Sequence, residues 1–293
     1  MPANEEEKQS QVIMRESVGF WQDGFRRLRK NKVAMVSLFV IIVVMIFSFI
    51  VPAFYPYDYK TQIKGSENLH PMQYSEKEME RMDAGEKVFP HVLGTDKMGR
   101  DYAIRVMMGS RISLLVGLIA TAIIFVIGSL IGSISAFFGG WVDLIIMRIV
   151  DIISTIPLTL YVILIMQVLG AGIQSIIVAL GSVYWVDMAR VVRGQILSLK
   201  QQEFVLAAKT IGSSATTILF DHLIPNALGS ILVTITMLIP SAIFMEAFLG
   251  YLGIGLQPPL ASLGTMCNDA SANLRTSPHE LLIPALMICV IMF

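Results

Sequence analysis

The sequence is poor in the residues on which catalytic, metal-binding and nucleic-acid-binding proteins rely. Only two of its 293 residues are cysteines, four are histidines and 15% are charged, with a formal net charge of zero. Cys267 lies in a predicted loop and Cys289 in an apolar run, so their spacing predicts neither a structural disulfide nor a metal site. Because the chain has no basic excess, we also expect no nucleic-acid partner.

Motifs for catalysis and nucleotide binding are missing as well. Three apolar residues follow the pair His279-Glu280, so this pair does not form the H-E-x-x-H motif of zinc proteases. The sequence contains neither G-x-S-x-G nor the phosphate loop G-x-x-x-x-G-K-[ST]. Asp151 has no second carboxylate deep in a span with which to form a protease dyad. We therefore predict a chain that is not an enzyme, holds no cofactor or metal, and takes any energy of ATP from another subunit.

Apolar residues dominate instead. They make up 55% of the chain, and the mean hydropathy is +0.68, which is typical of integral membrane proteins. The predicted fold class is an all-α membrane protein with six transmembrane helices and a helix-turn-helix loop on the cytoplasmic side. The last span has only 13 residues where about 20 are needed, so it is incomplete: either the chain is truncated, which we expect, or the last helix is a partial one. The predicted spans are 33–53, 113–138, 144–169, 173–188, 227–249 and 281–293.

The distribution of charge predicts the topology. The polar tail, 1–32, ends in a basic cluster, and such clusters lie on the cytoplasmic side of a membrane. We therefore expect a multi-pass protein of the cell membrane with a cytoplasmic N-terminus. The long, charge-balanced segment 54–112 is then extracytoplasmic, and the membrane domain 113–293 includes a cytoplasmic loop at 189–226. The basic cluster consists of Arg26, Arg27, Arg29, Lys30 and Lys32.

The tail itself has two interpretations. Phe20, Trp21, Phe25 and Leu28 lie roughly on one face of a helix, which predicts an amphipathic helix resting on the bilayer surface. A disordered basic tail is the alternative.

A polar interruption between the fourth and fifth predicted spans carries a helix-turn-helix pattern. Phe204, Ala207, Ala208 and Ile211 recur at i, i+3, i+4 and i+7, so they form one narrow apolar stripe on a short helix that starts at Glu203. Gly212 ends this helix, Ser213 or Ser214 caps a second one, and Pro225 closes the unit. The stripe either docks in a groove of a partner or belongs to an ordinary loop.

A charge pair and two prolines mark the spans. Arg148 and Asp151 are three residues apart near the inner end of the third span, so they can neutralise each other or pair with a partner chain. This pair is either a pore-side element or a clamp at the inner interface. Pro157 and Pro240 predict helix kinks on the pore side. In the second span, Gly128 and its G-x-x-x-G partner Gly132 allow close approach of a neighbouring helix.

The outer segment contains a predicted turn followed by a helix. Asp101 is placed to cap this helix and to pair with Arg105 at i+4. His91 beside Asp96 provides too few ligands for a metal site. We predict a structural turn that locks the outer end of the second span. The residues assigned to it are Gly94, Asp96, Gly99, Arg100, Asp101 and Arg105.

Taken together, these motifs resemble a known family. The spacing of Ala207-Ala208, Gly212 and Pro225 resembles the alanine-alanine-glycine signature in the cytoplasmic loop of permease subunits of ABC importers. The surrounding residues resemble the oligopeptide and dipeptide branch, specifically its C-type permease. Leu206 departs from this pattern, because the family usually has a glutamate there, and Glu203 is left as the only carboxylate of the helix. The residues that carry the resemblance are Arg190, Arg193-Gly194-Gln195, Leu197-Ser198-Leu199-Lys200, Glu203-Phe204-Val205, His222, Pro225-Asn226 and the outer motifs from His91 to Ser113.

The resemblance implies partners and a function. This chain and a second homologous permease would enclose the path of an oligopeptide or dipeptide through the bilayer. Two cytoplasmic ATPase subunits would hold ATP and magnesium, and an extracytoplasmic peptide-binding protein would deliver the peptide substrate. The residues that the resemblance assigns to ATPase coupling are Glu203, Phe204, Ala207, Ala208, Ile211, Gly212, Ser213 and Pro225.

Two alternatives stay open for the function. The cargo of an importer of this type can be nickel or another small solute. A secondary transporter that works alone is the second alternative. It is disfavoured because charged residues avoid the middle of the predicted spans and the sequence shows no internal repeat.

Overall fold

The computed structural model describes residues 20–293, and this part of the chain is built from helices, with one isolated β-bridge between Thr95 and Asp101. The predicted all-α class is thus confirmed for the described residues. The chain divides into two units, one up to Val44 and one from Met45 onward.

The first unit contains helix α1, Phe20–Lys30, and most of helix α2, Lys32–Met45. Between them, the Asn31 side chain accepts hydrogen bonds from the backbone N–H groups of Val33 and Ala34, at 3.1 and 3.2 Å, and so caps α2. A helix is therefore present where the amphipathic helix was predicted, while residues 1–19 of the predicted tail lie outside the described residues.

The second unit contains the remaining helices, which we number in chain order. A π-helical turn, Ile46–Ile50, and a 3₁₀ turn, Val51–Ala53, follow α2 directly. Another π-helical segment spans Ile218–Leu223. The helices are α3 Glu76–Asp83, α4 Tyr102–Phe138, α5 Gly140–Ser154, α6 Leu158–Leu169, α7 Ile173–Leu199, α8 Glu203–Thr210, α9 Ala215–Thr217, α10 Ile224–Tyr251, α11 Leu263–Ser271 and α12 Pro278–Met292.

Four described helical stretches are long and apolar enough to span a membrane, and a bent pair of helices makes a fifth candidate. The sixth predicted span corresponds to α12, an apolar helix of 15 residues. The bent pair is α5 and α6, which meet at an angle of 88°. Pro157 lies at this junction as the residue before α6, so it separates two helices where we predicted a kink in one. A proline lacks the backbone N–H that would continue the hydrogen-bond ladder, which explains the break.

The fifth predicted span begins earlier than its sequence suggested. Helical structure runs without interruption from Ala215 to Tyr251, through Pro225 and through Pro240. Pro225 therefore does not close the helix-turn-helix unit, which is a correction to the predicted loop boundary. Proline has no N–H with which to make the regular i→i−4 bond, and the wider π-helical turns just before Pro225 do not require this bond. The side-chain amide of Asn226 donates to the His222 carbonyl at 2.6 Å.

Small residues allow α4 and α7 to pack against each other. A Cβ atom added to Gly132 would lie 2.4 Å from the carbonyl oxygen of Ala189, and one added to Gly128 would lie 2.6 Å from Cβ of Met188. This close approach confirms the predicted role of the two glycines. This packing lies in the C-terminal part of α4, and the functional sites described next lie at the two ends of that helix.

Candidate functional site

The short helix α8 and the turn that follows it lie near the C-terminal end of α4. The predicted helix is confirmed and starts at Glu203. Gly212 adopts a left-handed conformation with φ of +85°, which a glycine tolerates without a Cβ clash. Its N–H donates to the carbonyl of Lys209, and the N–H of Ser213 donates to the carbonyl of Ala208, both at 3.0 Å. This pair of bonds is a Schellman motif, so Gly212 ends the helix as the sequence predicted.

Ser214 provides the cap of the following helix. Its hydroxyl oxygen accepts a hydrogen bond from the backbone N–H of Thr217 at 3.2 Å. Of the two serines considered from the sequence, Ser214 is thus the cap, while Ser213 supplies a backbone bond to the preceding turn. The helix-turn-helix is therefore held by local bonds at both sides of Gly212.

The apolar stripe predicted on α8 is divided between two faces. Ala208 is buried together with Val205, against the π-helical segment and the first turn of α10. Phe204 and Ile211 point outward, with 39% and 83% of their surfaces exposed, and Ala207 is exposed as well. Placing Ala208 on the outer stripe was therefore wrong. A helix face is only about 100° wide, and Val205, which the pattern did not use, forms the inner anchor with Ala208 at i+3.

Leu206 lies on the exposed side of α8, next to Ala207. It is the position at which the sequence departs from the family pattern. Glu203 is also exposed, in the first turn of the helix. The exposed residues of α8 therefore include three apolar ones, Phe204, Leu206 and Ala207, with polar residues at both ends of the helix: Glu203 at its start and Lys209 and Thr210 at its end.

The predicted pairing of Arg148 with Asp151 is wrong, while pairing of Arg148 with a partner chain stays a prediction. Asp151 faces α7 instead, where its Oδ1 lies 3.3 Å from Nη2 of Arg190, and Arg148 is exposed. The same Arg190 donates to the Ser154 hydroxyl at 2.6 Å. Spacing along one helix could not show this, because a partner on another helix competed successfully for the carboxylate.

A second charge cluster ties three helices together at this end of α4. The guanidinium of Arg193, on α7, donates to both carboxylate oxygens of Asp143, on α5, at 2.5 and 2.6 Å. Ser135, in the last turn of α4, donates to the same carboxylate at 2.5 Å. Lys200, just after α7, donates to the Phe137 carbonyl at 2.6 Å. From the sequence, Arg193 and Lys200 entered only the family resemblance, and Asp143 was not singled out. The position of these charges near predicted span ends was the available signal.

At the opposite, N-terminal end of α4, the predicted turn is present. Asp101 caps α4, since its Oδ1 accepts from the backbone N–H of Ile104 at 3.0 Å. Gly94 and Gly99 both have positive φ and pass close to backbone carbonyls; an added Cβ would lie 2.2 Å from the Leu69 oxygen and 2.3 Å from the Ile63 oxygen, respectively. These contacts explain why the turn carries glycine at both positions.

The predicted ion pair of Asp101 with Arg105 is wrong. The free oxygen of Asp101, Oδ2, bonds Nδ1 of His91 at 2.8 Å. Arg105 lies instead near Asp96 and Asp269, with nitrogen–oxygen distances of 3.3 and 3.8 Å. Because a capping carboxylate points back across the start of its helix, Asp101 faces the preceding loop and turns away from the side chain at i+4.

His91 is the centre of a buried charged cluster that the sequence analysis missed. Its Nε2 bonds Glu78 at 3.0 Å, opposite the bond to Asp101, and the Tyr57 ring stacks on the imidazole at 4.5 Å. Burial opposes a charge on His91, yet the bond to Asp101 and the charge of Glu78 outweigh it, so the pKa of His91 lies above its ordinary value. A protonated imidazole donates from both nitrogens, which suits two carboxylates.

A buried carboxylate links three helices below this turn. Glu246 of α10 is fully buried, and its Oε2 accepts a hydrogen bond from the Ser113 hydroxyl of α4 at 2.7 Å. The Ser113 oxygen in turn lies 3.4 Å from the backbone nitrogen of Leu263, in the first turn of α11. The loop before α11 is thereby fixed to the long helices.

Comparison with known proteins agrees with this arrangement. A family model described as "Binding-protein-dependent transport system inner membrane component" matches residues 124–293. A second model, "N-terminal TM domain of oligopeptide transport permease C", matches residues 19–71. The inward-facing structure of the MetNI methionine ABC transporter has a TM-score of 0.54 over 64% of this chain and 89% of that chain; at 18% identity it shows a shared fold alone.

Curated relatives match along the whole chain. The oligopeptide transport system permease protein OppC of Bacillus subtilis (strain 168) is 42% identical over 292 residues, which are 100% of this chain and 90% of the relative. The dipeptide transport system permease protein DppC of the same organism is 39% identical over 290 residues, covering 99% of this chain and 86% of the relative. The chain therefore belongs to the family of binding-protein-dependent transport system inner membrane components, among the C-type permeases of the oligopeptide and dipeptide branch of ABC importers.

Proposed function

We propose that this chain is one of two permease subunits that enclose the path of an ATP-driven importer of oligopeptides or dipeptides in the cell membrane. The relatives named for oligopeptide and dipeptide transport, at 42% and 39% identity, support the cargo. The basic residues before the first span support a cytoplasmic N-terminus. With this orientation, the C-terminal end of α4 faces the cytoplasm and the segment 54–112 lies outside.

The outward face of α8 is the observation that supports this function best. Phe204, Ala207 and Ile211 are exposed, and the proposed topology places them in a cytoplasmic loop, where lipid would not cover an apolar face. We infer that this face sits in a groove of an ATPase subunit, as an amphipathic helix does in a groove. Two such ATPases would hold ATP and magnesium, one beneath each permease. Gly212 then has a structural role, since it forms the turn that ends α8.

The same region provides a route for movement. Val205 and Ala208 anchor α8 to the start of α10, while Lys200 joins the base of the loop to the last carbonyls of α4. When ATP binding draws the two ATPases together, α8 moves with its groove and displaces these long helices as rigid bodies. The path changes from inward-open to outward-open, peptide enters from the extracytoplasmic binding protein, and hydrolysis resets the path.

Co-purification of the ATPase subunits with a tagged chain tests this function. Ala207→Trp places a large side chain on the outward face of α8, so we expect the ATPases to be lost, with uptake falling at least tenfold, while the permease still inserts. Ala84→Trp is the matched control, because Ala84 is equally exposed but lies after α3 in the outer segment. If Ala207→Trp retains its ATPases and its uptake, or if the unmodified chain purifies with no ATPase, the proposal is wrong.

A further inference from the structure

Helix α1 ends directly before the first candidate membrane span. It runs from Phe20 to Lys30, and the span runs from Lys32 to Ala53, so Asn31 alone separates the two. The 22 residues of the span extend over about 33 Å, which is close to the thickness of the hydrocarbon core of a bilayer. The span therefore takes up the whole core, and α1 is left at the boundary between membrane and water.

Asn31 separates the axes of α1 and α2. Its backbone N–H donates to the carbonyl of Leu28 at 3.0 Å, and its side chain caps α2. A capping residue has non-helical backbone angles, so α1 does not continue the axis of the span. Since α1 has 11 residues, each of them lies within about 18 Å of Lys32. The whole helix is thus within reach of the lipid headgroups.

The described side chains of α1 form an apolar side and a basic side. Phe25 is 65% exposed, and Leu28, one turn later, is partly exposed. Arg26, Arg29 and Lys30 are exposed, and at about 100° per residue they occupy the neighbouring arc of the helix. This arrangement is typical of a helix that lies in the membrane interface, with its apolar side toward the acyl chains and its basic side toward the headgroups.

The charge of this region stays positive when its acidic residues are counted. Residues 20–32 contain five basic residues and one acidic residue, Asp23, which leaves an excess of four positive charges. Residues 1–19 contain four glutamates and two basic residues, so residues 1–32 together keep an excess of two. A cluster of about four to eight Lys and Arg residues beside a span is typical of a segment that binds anionic lipids.

We propose that α1 is a binding site for the headgroups of anionic phospholipids such as phosphatidylglycerol. Phe25 and Leu28 enter the upper part of the acyl chains, while Arg26, Arg29 and Lys30 bind the phosphate groups. Guanidinium groups suit this task, because their paired N–H donors match two phosphate oxygens. The inference goes beyond the proposed function, since it concerns lipid recognition and requires only that the chain lies in a membrane.

Tryptophan fluorescence of the full chain in lipid nanodiscs tests this site. Trp141→Phe and Trp185→Phe leave Trp21 of α1 as the single tryptophan, and this chain is the parent of the variants below. Phosphatidylglycerol or phosphatidylcholine with brominated acyl chains quenches a tryptophan at short range, so the two quenching curves give the local preference for the anionic lipid. We expect a preference of about fivefold or more at about 0.1 M salt. It should approach one at about 1 M salt, where the screening length falls from about 10 Å to about 3 Å.

Removal of the basic side chains separates the effect of charge from that of apolar contact. The combined variant Arg26→Gln, Arg29→Gln and Lys30→Gln should lower the preference to near one, because the two headgroups then bind alike. Phosphatidylcholine should still quench Trp21, since Phe25 and Leu28 continue to hold α1 at the acyl chains. Retained quenching thus distinguishes a loss of lipid recognition from detachment or unfolding of the helix.

The matched control replaces three exposed basic residues outside α1 by glutamine and should keep the preference of the parent. These residues are Lys64, Lys87 and Arg275. Equal quenching by the two lipids in the parent at about 0.1 M salt would overturn the site, as would an unchanged preference in the α1 variant or an equal loss in the control. Absence of quenching by either lipid would also overturn it and would indicate a protein partner for α1. None of these results bears on co-purification of the ATPases.

Discussion

At the scale of single residues, His91 connects the outer segment to α4. It bridges Glu78 of α3 and Asp101, the cap of α4, and both carboxylates are buried. Since each carboxylate also bonds a backbone N–H at the start of its own helix, the imidazole joins two helix caps. The sequence indicated the cap at Asp101 but gave no sign of Glu78, because a contact between residues 13 positions apart leaves no local pattern.

This cluster predicts a pH dependence of the outer segment. The pKa of His91 is raised in the folded protein, so its stabilising charge is fully present below the ordinary histidine pKa and is lost as pH rises through the raised value. Burial and the charge of Glu78 raise the pKa of Tyr57 to about 12, so Tyr57 stays uncharged meanwhile. We expect hydrogen-exchange protection of residues 54–101, corrected for intrinsic rates, to fall as the pH rises beyond the ordinary histidine pKa of about 6.5.

The control for this prediction is a second histidine of the same segment. His91→Gln should lower protection and remove most of its pH dependence, with a loss on the order of 1–3 kcal/mol. His70→Gln, at an exposed position, should leave both unchanged. Protection that is constant with pH in the wild type, or that falls equally in His91→Gln, would contradict the role of His91.

At the scale of elements, the turn between α8 and α9 depends on the backbone of Gly212. No atom lies within 4 Å of a Cβ added there, so any effect of a substitution comes from the left-handed conformation alone. Gly212→Val should cost roughly 1–2 kcal/mol at this turn and lower peptide uptake, while membrane insertion persists. Asparagine tolerates this conformation, so Gly212→Asn should retain most uptake. Uptake is measured in proteoliposomes at matched protein content. Equal uptake in the two variants would show that uptake does not depend on the left-handed conformation at position 212.

The elements also show what a sequence can and cannot predict. The start of α8, its stop at Gly212 and the cap at Asp101 were correct, because each depends on residues within one or two turns. The ion pairs depended on tertiary contacts, which sequence spacing does not show. Asp151 pairs with Arg190 and not with Arg148, and Asp101 pairs with His91 and not with Arg105. Pro157 and Pro225 both lack the backbone N–H, yet the helix breaks at only one of them. The helices α5 and α6 are separated at Pro157, whereas the helix continues through Pro225, which follows a π-helical turn.

At the scale of the whole molecule, α4 joins two functional ends. Its last turn is tied to α5 and α7 by the cluster of Asp143 and Arg193, and to the base of the α8 loop by Lys200. The outer turn directly precedes the start of α4, and Ser113 of α4 bonds the buried Glu246 of α10. Since α10 begins next to α8 and ends next to α11, α4 and α10 both run from one end to the other. In the mechanism that we propose, movement of α8 would reach the loop before α11 through these two long helices.

The central claim is that this chain imports peptide with energy from separate ATPases. Uptake of a labelled tripeptide into proteoliposomes tests it most directly, with the chain, its partner permease, both ATPase subunits and the binding protein reconstituted together. We predict uptake that requires ATP on the ATPase side and stops when the ATPases are omitted. Equal uptake without ATPase subunits, driven by an ion gradient, would contradict the claim.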